Sequence, residues 1–199
     1  MATTDKASPR DRLLDAAAQL FYRDGVSVGI EALCRTAGVS KRSMYQLFDS
    51  KDEMLAASLE KRIPRYEALL APADPDSVTP RERILYVFEQ VEKAAADPGY
   101  LGCPYLAVLV ELKDPGHPAS QVARAVKEDL KALFRTQAER GGAHDPDLLA
   151  RQLMLIFDGA SARAGARVEH LDDGLATATV TALLDAAGVA QAHTATAAP

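Results

Sequence analysis

The sequence predicts an all-α protein, and three observations lead to that fold class. Apolar residues recur at the three-to-four-residue spacing of a helix face along the whole chain. The regular alternation of apolar and polar residues that indicates β-strands does not occur. Clusters of Pro, Gly and Asp divide the chain into segments of helix length. Together these patterns predict about nine helices.

Length and composition describe an ordinary globular chain. With 199 residues, 48% of them apolar and 26% charged, it can form one domain or two small ones. Two cysteines exclude a disulfide framework. No apolar run approaches the roughly 20 residues of a membrane helix, and the first residues lack the apolar core of a signal peptide. We therefore expect a cytoplasmic protein without a membrane segment.

The first three predicted helices are short and lie close together in the sequence. The first carries an apolar face over residues 13–21 and ends at Gly25, where the left-handed conformation is accessible. The second covers residues 30–36 and ends at Gly38. The third covers residues 40–48, with a serine at its N-cap position.

Six longer helices follow. Ser50 and Glu53 form a capping box for the fourth, whose apolar stripe continues to Leu70, and Pro64 inside it predicts a kink or a break. The remaining helices are expected at about residues 80–97, 104–113, 118–140, 147–168 and 173–187. Because residues 104–113 are apolar nearly all round, we expect that helix to be buried on every side, in the middle of the C-terminal body.

The three short helices have the spacing of a helix-turn-helix. Gly38 allows the chain to reverse, and the small Cys34 allows the second and third helices to cross closely. The third helix displays side chains of the types that contact phosphates and base edges in the major groove, namely Lys41, Arg42, Ser43, Tyr45 and Gln46. Taken alone, a Lys-Arg pair is more typical of a solvated helix start, whereas within the full motif the nucleic-acid interpretation is favoured.

The charge distribution agrees with an anion-binding N-terminal part. Residues 1–66 carry 11 Lys and Arg against 9 Asp and Glu, whereas residues 67–199 carry 12 against 19. The net charge of −5 therefore hides a mildly basic head and an acidic remainder.

From about Arg10 to Leu55 the chain resembles the TetR family of bacterial one-component repressors. The residues that carry this resemblance are Leu20-Phe21, Gly25, Ile30, Leu33, Ala37-Gly38-Val39-Ser40, Tyr45, Phe48, Ser50-Lys51 and Glu53-Met54-Leu55. The resemblance implies a homodimer with a DNA-binding domain at residues 1–50 and an effector-binding and dimerisation domain at residues 51–188. Residues 189–199 are expected to form a disordered tail. By family position, Tyr45 and Lys51 are phosphate contacts, and Lys41, Arg42, Ser43 and Gln46 are groove residues.

Three positions depart from the family pattern. Gly29 stands where a Thr or Ser commonly contacts phosphate, and Leu47 stands where a polar residue is common. Arg42 occupies a position that is often glycine and adds a charge there. The operator of a relative therefore cannot be transferred to this chain.

In the C-terminal part, the resemblance implies an effector pocket among the helices. Candidate lining residues are Tyr86, Gln90, Tyr105 and Glu111. Cys103, just before a predicted helix, is interpreted either as a redox or electrophile sensor or as a buried structural thiol. The small residues of segment 159–166 suit close helix contact in a dimer. The histidines lie in or near loops without metal-ligand spacing, so we expect neither a metal nor a cofactor.

These observations predict a ligand-responsive transcriptional regulator, a repressor that a small apolar effector releases from a double-stranded DNA operator. An activator fits the same sequence. One alternative is a regulator that senses oxidants or electrophiles through Cys103. A second is a helical ligand-binding protein without DNA binding, in view of Gly29 and Leu47. An enzyme using Cys103 with His117 would lack an orienting group and an oxyanion motif, so no catalytic residue is assigned.

Overall fold

The computed structural model of the protein describes residues 7–190. Within that range the chain forms nine α-helices and no strand, which confirms the all-α prediction. The helices are α1 (Pro9–Asp24), α2 (Ile30–Ala37), α3 (Lys41–Leu47), α4 (Lys51–Leu69), α5 (Pro80–Ala95), α6 (Pro104–Leu112), α7 (Pro118–Arg140), α8 (Pro146–Gly165) and α9 (Leu175–Ala186). Among the described residues, no helix combines the length and the apolar character needed to cross a membrane.

Side-chain caps set several helix starts. The Ser8 hydroxyl accepts a hydrogen bond from the Asp11 N–H at the start of α1, and Asp145 accepts one from Leu148 at the start of α8. Thr79 and Glu82 form a reciprocal capping box at the start of α5. Hydrogen bonding to Thr79 lowers the pKa of Glu82. Each cap satisfies backbone donors that the first helical turn leaves without a partner.

Helix α4 is continuous through Pro64, so the predicted break is wrong. An interior proline removes one backbone hydrogen bond and costs about 3 kcal/mol. Buried side chains before and after it, including Leu55, Leu59 and Leu70, anchor the helix and the turn that follows it. Tertiary packing therefore outweighs the local cost of the proline.

The chain divides into two compact units. The first unit runs to Pro64 and also contains Pro104–Val126, and the second contains Arg65–Cys103 and the chain from Lys127 onwards. The predicted boundary after residue 50 lies inside the first unit. Of the predicted tail, residues 191–199 lie outside the described range, whereas Val189 is buried.

Each unit has its own core. In the first unit, Leu13, Leu33 and Met44 from the three short helices are fully buried. In the second, the ring of Phe88 stacks on Phe134, with centroids 5.7 Å apart, and meets Phe157 edge-on at 6.3 Å. Aromatic packing thus joins α5, α7 and α8 within that unit.

Helix α6 is not buried on every side, so that expectation is wrong. Tyr105 and Val108, three residues apart on one face, are buried, whereas Ala107 and Val110 are exposed. The helix also belongs to the first unit rather than to a C-terminal body. Helix α6 therefore has more apolar side chains than its one buried face can accommodate.

Candidate nucleic-acid interface

The turn between α2 and α3 depends on the backbone of Gly38. Its φ and ψ angles are 61° and 39°, the left-handed region that favours glycine. The Gly38 N–H donates to the Arg35 carbonyl at 3.2 Å, and the Val39 N–H donates to the Cys34 carbonyl at 3.0 Å. A Cβ at position 38 would meet no atom within 4 Å, so backbone conformation rather than crowding selects glycine.

Helix α3 presents one buried and one exposed side. Ser40 caps the helix by accepting a hydrogen bond from the Ser43 N–H at 3.0 Å. Met44 is fully buried, whereas Arg42 and Gln46, four residues apart, are exposed on the other side. The helix therefore projects a guanidinium and an amide away from its own core.

The remaining predicted DNA contacts lie on both flanks of that exposed side. Lys41 and Tyr45 are exposed, and Ser43 is half-buried. Within residues 7–190, neither Lys41 nor Arg42 forms an ion pair with a carboxylate. Lys51, at the start of α4, is half-buried with its ammonium 5.9 Å from the centroid of the Phe21 ring.

Tertiary packing adds a cation that the sequence reasoning missed. The Arg10 guanidinium lies 5.2 Å from the centroid of the Phe48 ring, which follows the last residue of α3. The pair is separated by 38 positions in the sequence, and no local pattern signals the contact. Positive charge therefore stands at both ends of α3.

Two of the three departures from the family pattern, Gly29 and Leu47, lie where the structure shows their surroundings clearly. Gly29 is the N-cap of α2 with φ −74° and ψ 149°, and no side chain caps this helix. A Cβ at Gly29 would meet nothing within 4 Å. Leu47 is exposed on α3. Neither residue offers a polar side chain to DNA.

The four predicted effector residues belong to different units. Tyr86 and Gln90 lie on α5 in the second unit, and Tyr105 and Glu111 lie on α6 in the first. The buried Tyr105 hydroxyl donates to the Leu59 carbonyl at 3.3 Å. Tyr105 therefore links α6 to α4.

Glu111 connects α6 to the end of α1. Its carboxylate accepts a hydrogen bond from the Val26 N–H at 2.9 Å. At Gly25, where φ is 84°, an added Cβ would lie 2.9 Å from the same carboxylate. A cavity of about 20 Å³, lined by residues of α1, α4 and α6 including Glu111, lies beside this contact. Such a space holds about one water molecule.

Cys103 is packed into the second unit. Its side chain is 5% exposed, and its sulfur lies 3.6 Å from the Tyr66 hydroxyl. At Gly102, where φ is 93°, a Cβ would lie 2.9 Å from the Ser161 carbonyl oxygen. At Gly165 a Cβ would overlap the Leu101 carbonyl carbon. Part of the small-residue face of α8 therefore packs against the segment before α6 in the same chain.

Among the described residues, the histidines are not grouped with other candidate metal ligands. His117 lies 3.4 Å from the Asp52 carboxylate, and its ring nitrogen Nδ1 accepts a hydrogen bond from the Ala119 N–H. His193 lies outside the described residues. Across residues 7–190, no group of three or more His, Cys, Asp or Glu is arranged to hold a metal ion.

Comparisons with known proteins show similarity to bacterial transcriptional regulators of the TetR family. Residues 13–58 match the profile of the bacterial regulatory proteins of the tetR family. The crystal structure of a TetR transcriptional regulator from Streptomyces avermitilis is 63% identical, covers 92% of this chain and 100% of that chain, and has a TM-score of 0.89. That of a TetR-family regulator from Streptomyces coelicolor is 26% identical, covers 90% and 96%, and has a TM-score of 0.80.

The similarity to curated proteins is confined to part of the chain. An HTH-type transcriptional regulator of Mycobacterium tuberculosis is 36% identical over 92 residues, which is 43% of this chain. The match covers 46% of that regulator, so this chain spans about half the length of the curated relatives it matches.

Proposed function

We propose that this chain, which belongs to the TetR family of DNA-binding transcriptional regulators, is a homodimeric repressor that a small-molecule effector releases from its operator. The observation that carries the proposal is the exposed side of α3. Behind a Ser40-capped N-terminus and a buried Met44, it presents Arg42 and Gln46 to solvent.

The side chains of α3 and α4 suit different parts of duplex DNA. A guanidinium pairs with two acceptors on guanine, and an amide pairs with adenine, so Arg42 and Gln46 read base edges. Tyr45 and Lys51 contact phosphates, which fix the register of the helix in the groove, and Lys41 lies in the groove beside Arg42. Ser43 contributes a hydroxyl on the flank of the same helix.

A second copy of the chain is the expected partner of α8 and α9. Leu148, Leu155 and Gly159 follow one another at helical spacing on α8, and Leu155 is 74% exposed. Leu175 is exposed near the start of α9. Exposed apolar side chains in a row favour a protein interface. In a dimer, the two copies of α3 would meet half-sites about 34 Å apart, or a multiple of that distance.

Effector binding would act by a population shift. The effector favours a conformation in which the two copies of α3 no longer match their half-sites, and DNA affinity falls. The hydrogen bond from Val26 to Glu111 supports this mechanism, because it ties the end of α1 to α6. A displacement of α6 would therefore reach the DNA-binding helices directly.

Fluorescence anisotropy with the DNA upstream of the chain's own gene tests the proposal. The wild type should bind that fragment in a salt-dependent manner. The Arg42→Ala/Gln46→Ala double variant should lose specific affinity by about tenfold or more, because two base contacts are removed from each protomer. Lys93→Ala, which removes an exposed lysine of α5, is the matched control and should bind normally.

Two results would contradict the proposal. The first is a folded wild type that binds no fragment at low salt, which would favour a ligand-binding protein without DNA binding. The second is unchanged affinity of the double variant, which would place the reading surface elsewhere. Circular dichroism of each variant establishes that the helices remain intact.

A further inference from the structure

Two arginines two residues apart on α5 are almost equally buried but differ in their partners. Arg81, 8% exposed, forms an ion pair with Asp185 at 2.7 Å. Its guanidinium also donates to the carbonyl oxygens of Val189 and Thr181. The charge of Arg81 is therefore balanced by a carboxylate and two carbonyl dipoles.

Arg83, 7% exposed, has no such balance. Its guanidinium donates one hydrogen bond, at 2.6 Å, to the carbonyl of Leu70 after the end of α4. Within residues 7–190 no carboxylate pairs with it. Burial lowers the pKa of Arg83, and the neighbouring Tyr86 acts in the opposite direction. A buried cation without an anion is unusual in a folded protein, because desolvation of the charge is not repaid.

A buried donor without a hydrogen-bond partner within residues 7–190 lies on the same side of α5 as Arg83. Gln90 follows Arg83 by seven residues, which is two helical turns or about 10 Å along the axis. It is 8% exposed, and its amide nitrogen Nε2 has no hydrogen-bond partner among the described residues. The half-buried Tyr86 lies between the two, one turn after Arg83. Unsatisfied buried donors in a native structure call for a partner that is absent from it.

We propose that this side of α5 binds the polar groups of the effector, and that the effector is an organic acid. Its carboxylate pairs with Arg83, and a second oxygen, roughly two helical turns away, accepts a hydrogen bond from Gln90. The Tyr86 ring contacts the carbon skeleton between them. This inference rests on the proposed function and replaces the purely apolar effector with an amphipathic one.

Matched acids and esters test the inference without knowledge of the natural effector. Para-coumarate, 3-(4-hydroxyphenyl)propionate and 8-hydroxyoctanoate each carry a carboxylate and, at the other end of the carbon skeleton, a second oxygen, and each has a methyl ester without the charge. Binding to the full-length protein is measured by thermal shift and by calorimetry. At least one acid should bind about tenfold or more tightly than its own ester, because a hydrogen-bonded charge pair has that effect.

Three variants separate the roles of the residues. Arg83→Met should abolish the difference between acid and ester, because it keeps the buried stem and removes the charge. Gln90→Leu should weaken acid and ester by similar factors, because both keep the second oxygen. Lys93→Met, on the exposed side of α5, is the matched control and should preserve the difference.

The inference is overturned if no acid in the panel binds more tightly than its ester, or if the preference persists in Arg83→Met. The first comparison needs only the wild type, so it stands even if Arg83→Met does not fold. Anisotropy with the upstream DNA fragment is recorded in parallel. If the protein binds DNA and the acid and its ester release that DNA equally well, the inference is contradicted but the proposed function is not. If the protein does not bind DNA, the proposed function is contradicted. Calorimetry still decides whether the protein prefers the acid to its ester.

Discussion

Replacing the two members of the buried ion pair between α7 and α8 should have unequal effects. Lys127 pairs with Asp158, and its ammonium lies 4.7 Å from the centroid of the Phe157 ring. The lysine side chain is 10% exposed and the aspartate side chain 30% exposed. The charge left behind by Asp158→Asn is therefore more deeply buried than the charge left behind by Lys127→Met.

These exposures set the expected magnitudes. Removing one partner of a buried pair costs about 3–5 kcal/mol when the remaining charge cannot reach water. Asp158→Asn should lie near 3 kcal/mol, because the amide oxygen still accepts a hydrogen bond from the ammonium. Lys127→Met should cost about 1–2 kcal/mol, because Asp158 can rehydrate and the methionine keeps the apolar stem on Phe157.

Urea unfolding at neutral pH, followed by circular dichroism, measures these differences. The Lys127→Met/Asp158→Asn double variant should be more stable than the sum of the single effects predicts, since neither charge is then left alone. Arg135→Met is the control, because Arg135 pairs with Asp147 on the surface and should change stability by less than about 1 kcal/mol. The reasoning is refuted if Lys127→Met is as destabilising as Asp158→Asn, since burial would then not decide the cost.

Three further predictions concern the candidate DNA interface and the thiol. Lys51→Ala should reduce the slope of log affinity against log salt concentration by about 1.8, because a dimer loses two phosphate contacts, whereas an unchanged slope would exclude Lys51 from the interface. Gly29→Thr should raise DNA affinity several-fold in an anisotropy titration, since its Cβ has open space and its hydroxyl can reach a phosphate; weaker binding would show that position 29 does not face the backbone. Cys103 should react with iodoacetamide far more slowly in the native protein than in urea, and equal rates would favour the redox alternative.

The sequence predicted the elements whose causes are local. Ser40 and Gly38 specify the turn between α2 and α3 through a side-chain cap and a left-handed backbone, and both can be read from neighbouring residues. The break predicted as one outcome at Pro64 does not occur, because buried side chains on both sides of the proline hold α4 together. The exposure of Val110 was missed for a similar reason, since composition does not reveal how many faces of a helix are covered.

The candidate site was predictable only in part. Exposed side chains on α3 follow from helical spacing once Met44 is recognised as core. The partner of Glu111 is Val26, 85 positions earlier, and no local pattern links the two. Likewise, Arg81 and Arg83 look equivalent in the sequence. Only the fold places Asp185 beside the first and leaves the second without a carboxylate.

The close approach of Gly165 to the backbone of Leu101 has a consequence for mutational surveys of this protein. The Cβ of an alanine at position 165 would overlap main-chain atoms, which cannot move aside as a flexible side chain can. Tolerance to substitution should therefore be lowest at one of the smallest residues of α8, while bulky Leu155 on the same helix accepts many replacements in an isolated protomer. A survey ranked by residue volume would invert the true order of vulnerability along this helix.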